Sequence, residues 1–144
     1  LNDFLALPSE RTHDGLWQHC AYDLDGVRRR MGPRWESFKS YNVDRAQTPS
    51  VQAALGALMQ LFGLPAIASA DLARIAATTT LIWGRHDLAT PLPVAEAASA
   101  RYGWALHVID NAADDPAIEQ PQAFVRALRA ALGSPSASEQ GTKP

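Results

Sequence analysis

Residues 78–91 read TTTLIWGRHDLATP, and the reading of the run ahead of Gly84 decides the fold. Thr78 to Trp83 is short, β-branched and nearly all apolar, and Gly84 stops it, which is the pattern of a strand buried on both faces. Leu106 to Ile109 is a second such run. Pro91 to Tyr102, Ala-rich and followed by Gly103, reads as a helix between them. Strand, crossover helix and strand predict a parallel pair. The loops after the strands, Arg85 to Thr90 and Asn111 to Gln120, then leave at one edge, the carboxyl end of the sheet, where open α/β sheets form sites. Pro121 to Leu132 reads as a last helix with Phe124, Leu128 and Leu132 on one face. The tail GSPSASEQGTKP, 133–144, has the composition of disorder.

Upstream, residues 1–75 read as helices and loops without a strand. Asp14 caps a predicted helix whose apolar positions Leu16, Cys20, Leu24, Val27 and Met31 step by four, four, three and four. Gly32-Pro33 ends it, and Pro33 opens a second helix carrying Trp35 and Phe38. Thr48-Pro49 opens a third, and Gly63 closes it. Asp71 to Ile75 reads as a helical turn. No charge occurs from Ala46 to Ala70, but Gln52, Gln60 and Pro65 interrupt the stretch. Val51, Leu55, Leu58 and Phe62 form the seam of an amphipathic helix, buried or part of a lid, rather than a membrane span.

Charge excludes one partner class. The net formal charge is −2 and the 13 basic residues are scattered. The densest group, Arg28-Arg29-Arg30, falls in a helical pattern as a solvated face, so no nucleic-acid partner is expected. The lone Cys20 forbids an internal disulfide, which suits a reducing cytosol. The opening LNDFLALPSER has neither a basic n-region nor a long apolar run, so a cytoplasmic, membrane-free protein is expected.

Two stretches carry a family resemblance. LIWGRHDLATP, 81–91, resembles the strand and acid loop of lidded α/β-hydrolases: an apolar strand, Trp-Gly, two residues, Asp and a nearby Pro. DNAADDPAIEQPQAF, 110–124, resembles their histidine loop and last helix, usually Gly-His, a residue and Pro, then Glu-x-Pro and a Phe. The helical segment ahead of the strand is similar to their inserted lid. The implied fold class is α/β. Residues 1–75 would be a helical lid, 76–132 the C-terminal β-α-β-α portion of an α/β-hydrolase parallel sheet, and 133–144 a disordered tail. Such a chain is the C-terminal half of the fold and needs the N-terminal half as its partner. Alone it is expected to be marginal or to aggregate, because a short parallel pair leaves an unpaired edge.

The resemblance also assigns residues. Asp87 matches the triad acid, which orients an imidazole and stabilises it once protonated. Asp114 stands where the histidine belongs, Ala113 matches the glycine before it, and Glu119, Pro121 and Phe124 match the packing motif after it. No Gly-x-Ser-x-Gly nucleophile elbow occurs. The implied activity is hydrolysis of a small, mostly apolar ester or related bond. A carboxylate with an ordinary pKa of about 4 is a weak base at pH 7, although one member of a close carboxyl pair has a raised pKa. A degenerate homologue, a non-catalytic small-molecule binder and an altered chemistry are the other readings.

Other residues have blander readings. His86 should point away from its neighbour Asp87 and sit on a loop surface. His107 is a strand-face residue, and His13 and His19 belong to the lid. Asp110, Asp114, Asp115 and Glu119 offer oxygen ligands suited to Mg²⁺ or Ca²⁺, but no EF-hand spacing is present and Asp115 before Pro116 is a turn-former. No metal or cofactor is expected. Trp17, Tyr22, Phe38 and Leu88 are the candidate lining of an apolar substrate site; the stronger reading of the aromatics is core packing, since Trp35 and Phe38 are three apart and Trp17 and Phe62 are best read the same way.

Overall fold

The computed structural model describes residues 2–63 and 67–133. The tail expected to be disordered lies, from residue 134 on, outside them. The described chain forms two compact units. The first comprises residues 1–19 and 24–72, and the second takes Cys20–Asp23 together with the chain from Ala73 on.

In the first unit, helices follow one another: α1 Asn2–Ala6, α2 Glu10–Cys20, α3 Leu24–Met31, α4 Arg34–Gln47 and α5 Pro49–Leu58. A π-helical stretch, Met59–Gly63, and the short α6 Ser69–Leu72 complete it. The helix expected to be capped by Asp14 starts earlier. Ser9 Oγ accepts the Thr12 N–H at 3.2 Å while Thr12 Oγ1 accepts the Ser9 N–H at 3.0 Å, so the two residues satisfy each other's free donors. The helix also does not run through to Met31. It breaks at Ala21–Asp23, where the backbone serves the second unit. In α4, Trp35, Lys39 and Val43 are buried at steps of four, a helical stripe facing the core. The buried Lys39 keeps its charge because Nζ lies 2.9 Å from Glu36 and 3.5 Å from Glu10. Trp17 and Phe38, read as candidate substrate lining, are part of this core: their rings meet edge-on at 5.5 Å, and Trp17 is buried.

The uncharged run gives a thinner seam than expected. Val51 and Leu55 are half-buried, Leu58 is exposed, and nothing is described of the Phe62 side chain. Among the described residues no helix is long and apolar enough to cross a membrane.

The second unit holds β1 Thr80–Gly84, α7 Leu92–Tyr102, β2 Ala105–Ile109, α8 Pro116–Glu119 and α9 Pro121–Gly133. The strands pair in parallel, from Thr80 opposite Ala105 to Gly84 opposite Ile109, and α7 and α9 each touch both. Gly103 closes α7 at φ +70°, a left-handed conformation that favours glycine. The core joins Ile109, Ala112 and Ala127 to Ile82 and Ala123. Here α9 differs from its sequence reading. Its buried position is Ala127, while Leu128 and Leu132 are exposed, because small side chains let the helix lie close to the strands.

The fold class expected from the resemblance is not what forms. The described residues are mostly helical (65%), and the sheet is two five-residue strands. This is a helix-rich fold with a small parallel pair, not an α/β-hydrolase sheet. The physical reason lies in the spacing of apolar residues. Only two runs are continuous enough to be strands, and elsewhere the apolar positions recur every three or four residues.

Candidate functional site

Within the second unit, the loop after β1 and the loop after β2 are stitched together backbone to backbone. The Arg85 N–H donates to the Ile109 carbonyl at 3.0 Å, and the His86 N–H donates to the Ala112 carbonyl at 2.9 Å. Gly84 makes the approach possible: a Cβ there would lie 1.9 Å from the Ala113 carbonyl oxygen. Asn111, at φ +55°, turns the second loop, and the Gln120 side-chain amide donates to its carbonyl at 3.0 Å.

Asp87 is fixed by its own loop. Its Oδ1 accepts the Thr90 N–H at 2.7 Å, and the Trp83 indole N–H donates to the Thr90 carbonyl at 2.9 Å. Asp114 is held from the other side, its N–H donating to the Cys20 carbonyl at 3.1 Å. Its carboxyl faces the Asp87 carboxyl, the Cys20 thiol and the Leu88 backbone N–H. Its Oδ1 is shut away from water with no well-formed hydrogen bond. Burial pushes the Asp114 carboxyl above the usual carboxylate range; the hydrogen bond and charge of Asp87 add to the rise, while Cys20 and Leu88 oppose it. The rise at Asp114 thus comes first from burial and then from the carboxyl beside it.

Cys20 completes the group. Burial, then its hydrogen bond to Asp114, pushes the thiol up to about 12. It stays protonated at neutral pH, so it is not a thiolate nucleophile. Tyr22, a candidate lining residue, stacks on the His86 ring with centroids 4.3 Å apart and remains half exposed. Leu88 is 74% exposed, so its side chain lines nothing that is closed.

Glu119 carries a role its spacing alone did not reveal. It is 2% exposed; Oε1 accepts the Ala113 N–H at 2.7 Å and Oε2 accepts the Tyr22 N–H at 2.6 Å. One carboxylate thus fastens the Asp114 loop and the segment bearing Cys20 and Tyr22 to the same point. Asp110 instead pairs with Arg85 on the surface. The acidic residues read as possible oxygen ligands point to different partners. Among the described residues no three His, Cys, Asp or Glu side chains group as a metal site would require.

The half-buried Asp114 gives a pH-dependent prediction. The folded protein holds the Asp114 proton more tightly than an unfolded chain, whose carboxyl has the ordinary value of 3.8. This group therefore favours folding most below 3.8, and the contribution is lost as pH rises through the folded-state pKa. Asp114→Asn, whose amide can donate to Asp87 without a charge, should raise stability at pH 7 by on the order of 1 kcal/mol. No gain is expected at pH 3.5. Urea titrations at the two pH values measure the difference.

Comparison with protein-family models, with curated proteins and with solved structures returns no match to this chain.

Proposed function

We propose that the second unit carries the acid edge of a hydrolase-type site for a small, mostly apolar ester or related bond, with Asp87 as the orienting acid and Asp114 in the place of its imidazole. The observation that carries this reading is the meeting of the Asp87 and Asp114 carboxyls across two stitched loops. An imidazole at position 114 would have an acid beside it, and that acid is already held by the Thr90 N–H. With Asp114 there, no imidazole is present, and a carboxyl group is a weak base at neutral pH. The chain has no Gly-x-Ser-x-Gly turn. In this reading the attacking group is therefore water or a residue outside these 144.

A second reading has support of its own. Beside the protonated Cys20 thiol, the Asp114 Oδ1 is a buried acceptor with no hydrogen bond, suited to holding a hydroxyl without turning it over. Release of nitrophenol from a short-chain p-nitrophenyl ester separates the two. Hydrolysis predicts at least about a tenfold gain for Asp114→His, a modest part of the roughly 10²–10⁴-fold that a positioned base supplies, and loss of that gain when Asp87→Asn is added. Saturable ester binding, with equal and negligible rates in all three proteins, would instead establish the binder.

A further inference from the structure

His13 is 1% exposed, the most deeply buried ionisable side chain described in the first unit. Four aromatic rings surround it: Phe4, Trp35 and Phe38 at 5.7, 5.7 and 5.9 Å, and Trp17 at 6.3 Å. They come from three helices, α1, α2 and α4, so the imidazole is the shared centre of the unit's core. Nε2 lies 3.2 Å from the Asn42 amide nitrogen and accepts from it. The ring's own proton is therefore on Nδ1. That atom is buried without a hydrogen bond, 3.8 Å from Asp14 Oδ1. The arrangement suits a neutral imidazole.

We propose that His13 is an acid-sensitive latch: the aromatic core of the first unit closes around its neutral ring and loosens when the ring takes up a proton.

The charges facing the ring from each packed element set the balance. From its own helix, Asp14 favours a proton on His13, but Arg28 of α3 already holds that carboxylate at 3.1 Å. From α4, Lys39 opposes a second positive charge, as does Arg28; Glu36 and Glu10 are engaged by Lys39. Asn42 adds a mismatch, because a proton on Nε2 would meet an N–H donor unless the amide turns over. Burial is the largest influence and holds the ring below its ordinary pKa of 6.5. The unfolded chain binds this proton first as pH falls. Stability is thus complete above 6.5 and falls by up to tenfold in the folding constant per pH unit below it, down to the folded-state pKa.

Trp17 and Trp35 report on the cage directly. The test is urea unfolding of the full chain between pH 7.5 and 5.0, followed by near-UV circular dichroism, with wild type beside His13→Phe. The proposal expects a fall in the folding constant and in aromatic ellipticity for wild type, and removal of the acid-dependent part by His13→Phe. An unchanged pH slope in that variant would overturn it. Should the variant not fold, the wild-type His13 ring resonances decide. Titration clearly below 6.5, accompanied by shifts at Trp17 and Trp35, supports the latch; titration at or above 6.5 refutes it.

Discussion

Glu119→Ala is expected to lower the stability of the second unit by about 3–5 kcal/mol. The side chain accepts two backbone N–H groups, at 2.7 and 2.6 Å, from Ala113 and Tyr22. Its removal strands both donors, at about 1–3 kcal/mol each for a buried group, and leaves a cavity in place of a carboxylate that is 2% exposed. Glu119→Gln separates the two costs. Glutamine fills the space but has only one acceptor oxygen, and its NH₂ would face an N–H. That variant should lose about 1–3 kcal/mol. Urea unfolding measures both, and near wild-type stability for Glu119→Ala would show that water replaces the carboxylate. Because the same group fixes the Ala113–Asp114 loop, amide protection of Asp114 should fall in parallel.

Gly84→Ala should be as severe for a different reason. The added methyl would sit 1.9 Å from the Ala113 carbonyl oxygen and 2.8 Å from that of Ala112. Both are backbone atoms, which cannot swing aside as a flexible side chain would. To admit the methyl, the loop after β2 must move away from β1, breaking the bonds from Arg85 and His86 to Ile109 and Ala112. A loss of about 3 kcal/mol or more is expected, in the range of overpacking combined with lost buried hydrogen bonds. The separation of Asp87 and Asp114 should follow. In the double variant Gly84→Ala, Asp114→Asn, the gain predicted for Asp114→Asn at pH 7 should therefore shrink towards zero. A fully additive result would mean that the two loops do not depend on the glycine for their approach.

What could be read from the sequence follows how local each signal is. Gly84 after an apolar run, and Asp87 three residues on, are local signals, and they led to the turn that the structure shows. The pairing of the loops followed from the same reasoning, since parallel strands of similar length deliver their exits to one edge. The fold class failed because the resemblance supplied a large sheet that these residues do not build; two strands of five residues are what the apolar runs support.

Glu119 was legible as part of a motif but not as a brace. Its partner Tyr22 lies 97 positions away, and nothing in the alternation of residues around 119 distinguishes a buried carboxylate from a solvated one. The break in the helix at Ala21 was hidden for a related reason. Cys20 and Leu24 fit one helical stripe, and only the demands of distant backbone donors and acceptors interrupt it. No local pattern marks His13 as a histidine that four rings will enclose.

The four residues Cys20–Asp23 have one more implication. They are a short loan from the N-terminal stretch to a body otherwise made of the chain from Ala73 on. The two bodies are therefore interleaved along the gene rather than set end to end. Any transplantation of the carboxyl-pair body into another scaffold has to carry two separate pieces of sequence, and a single cut after Leu72 delivers it without its thiol and without one of the donors its buried glutamate holds.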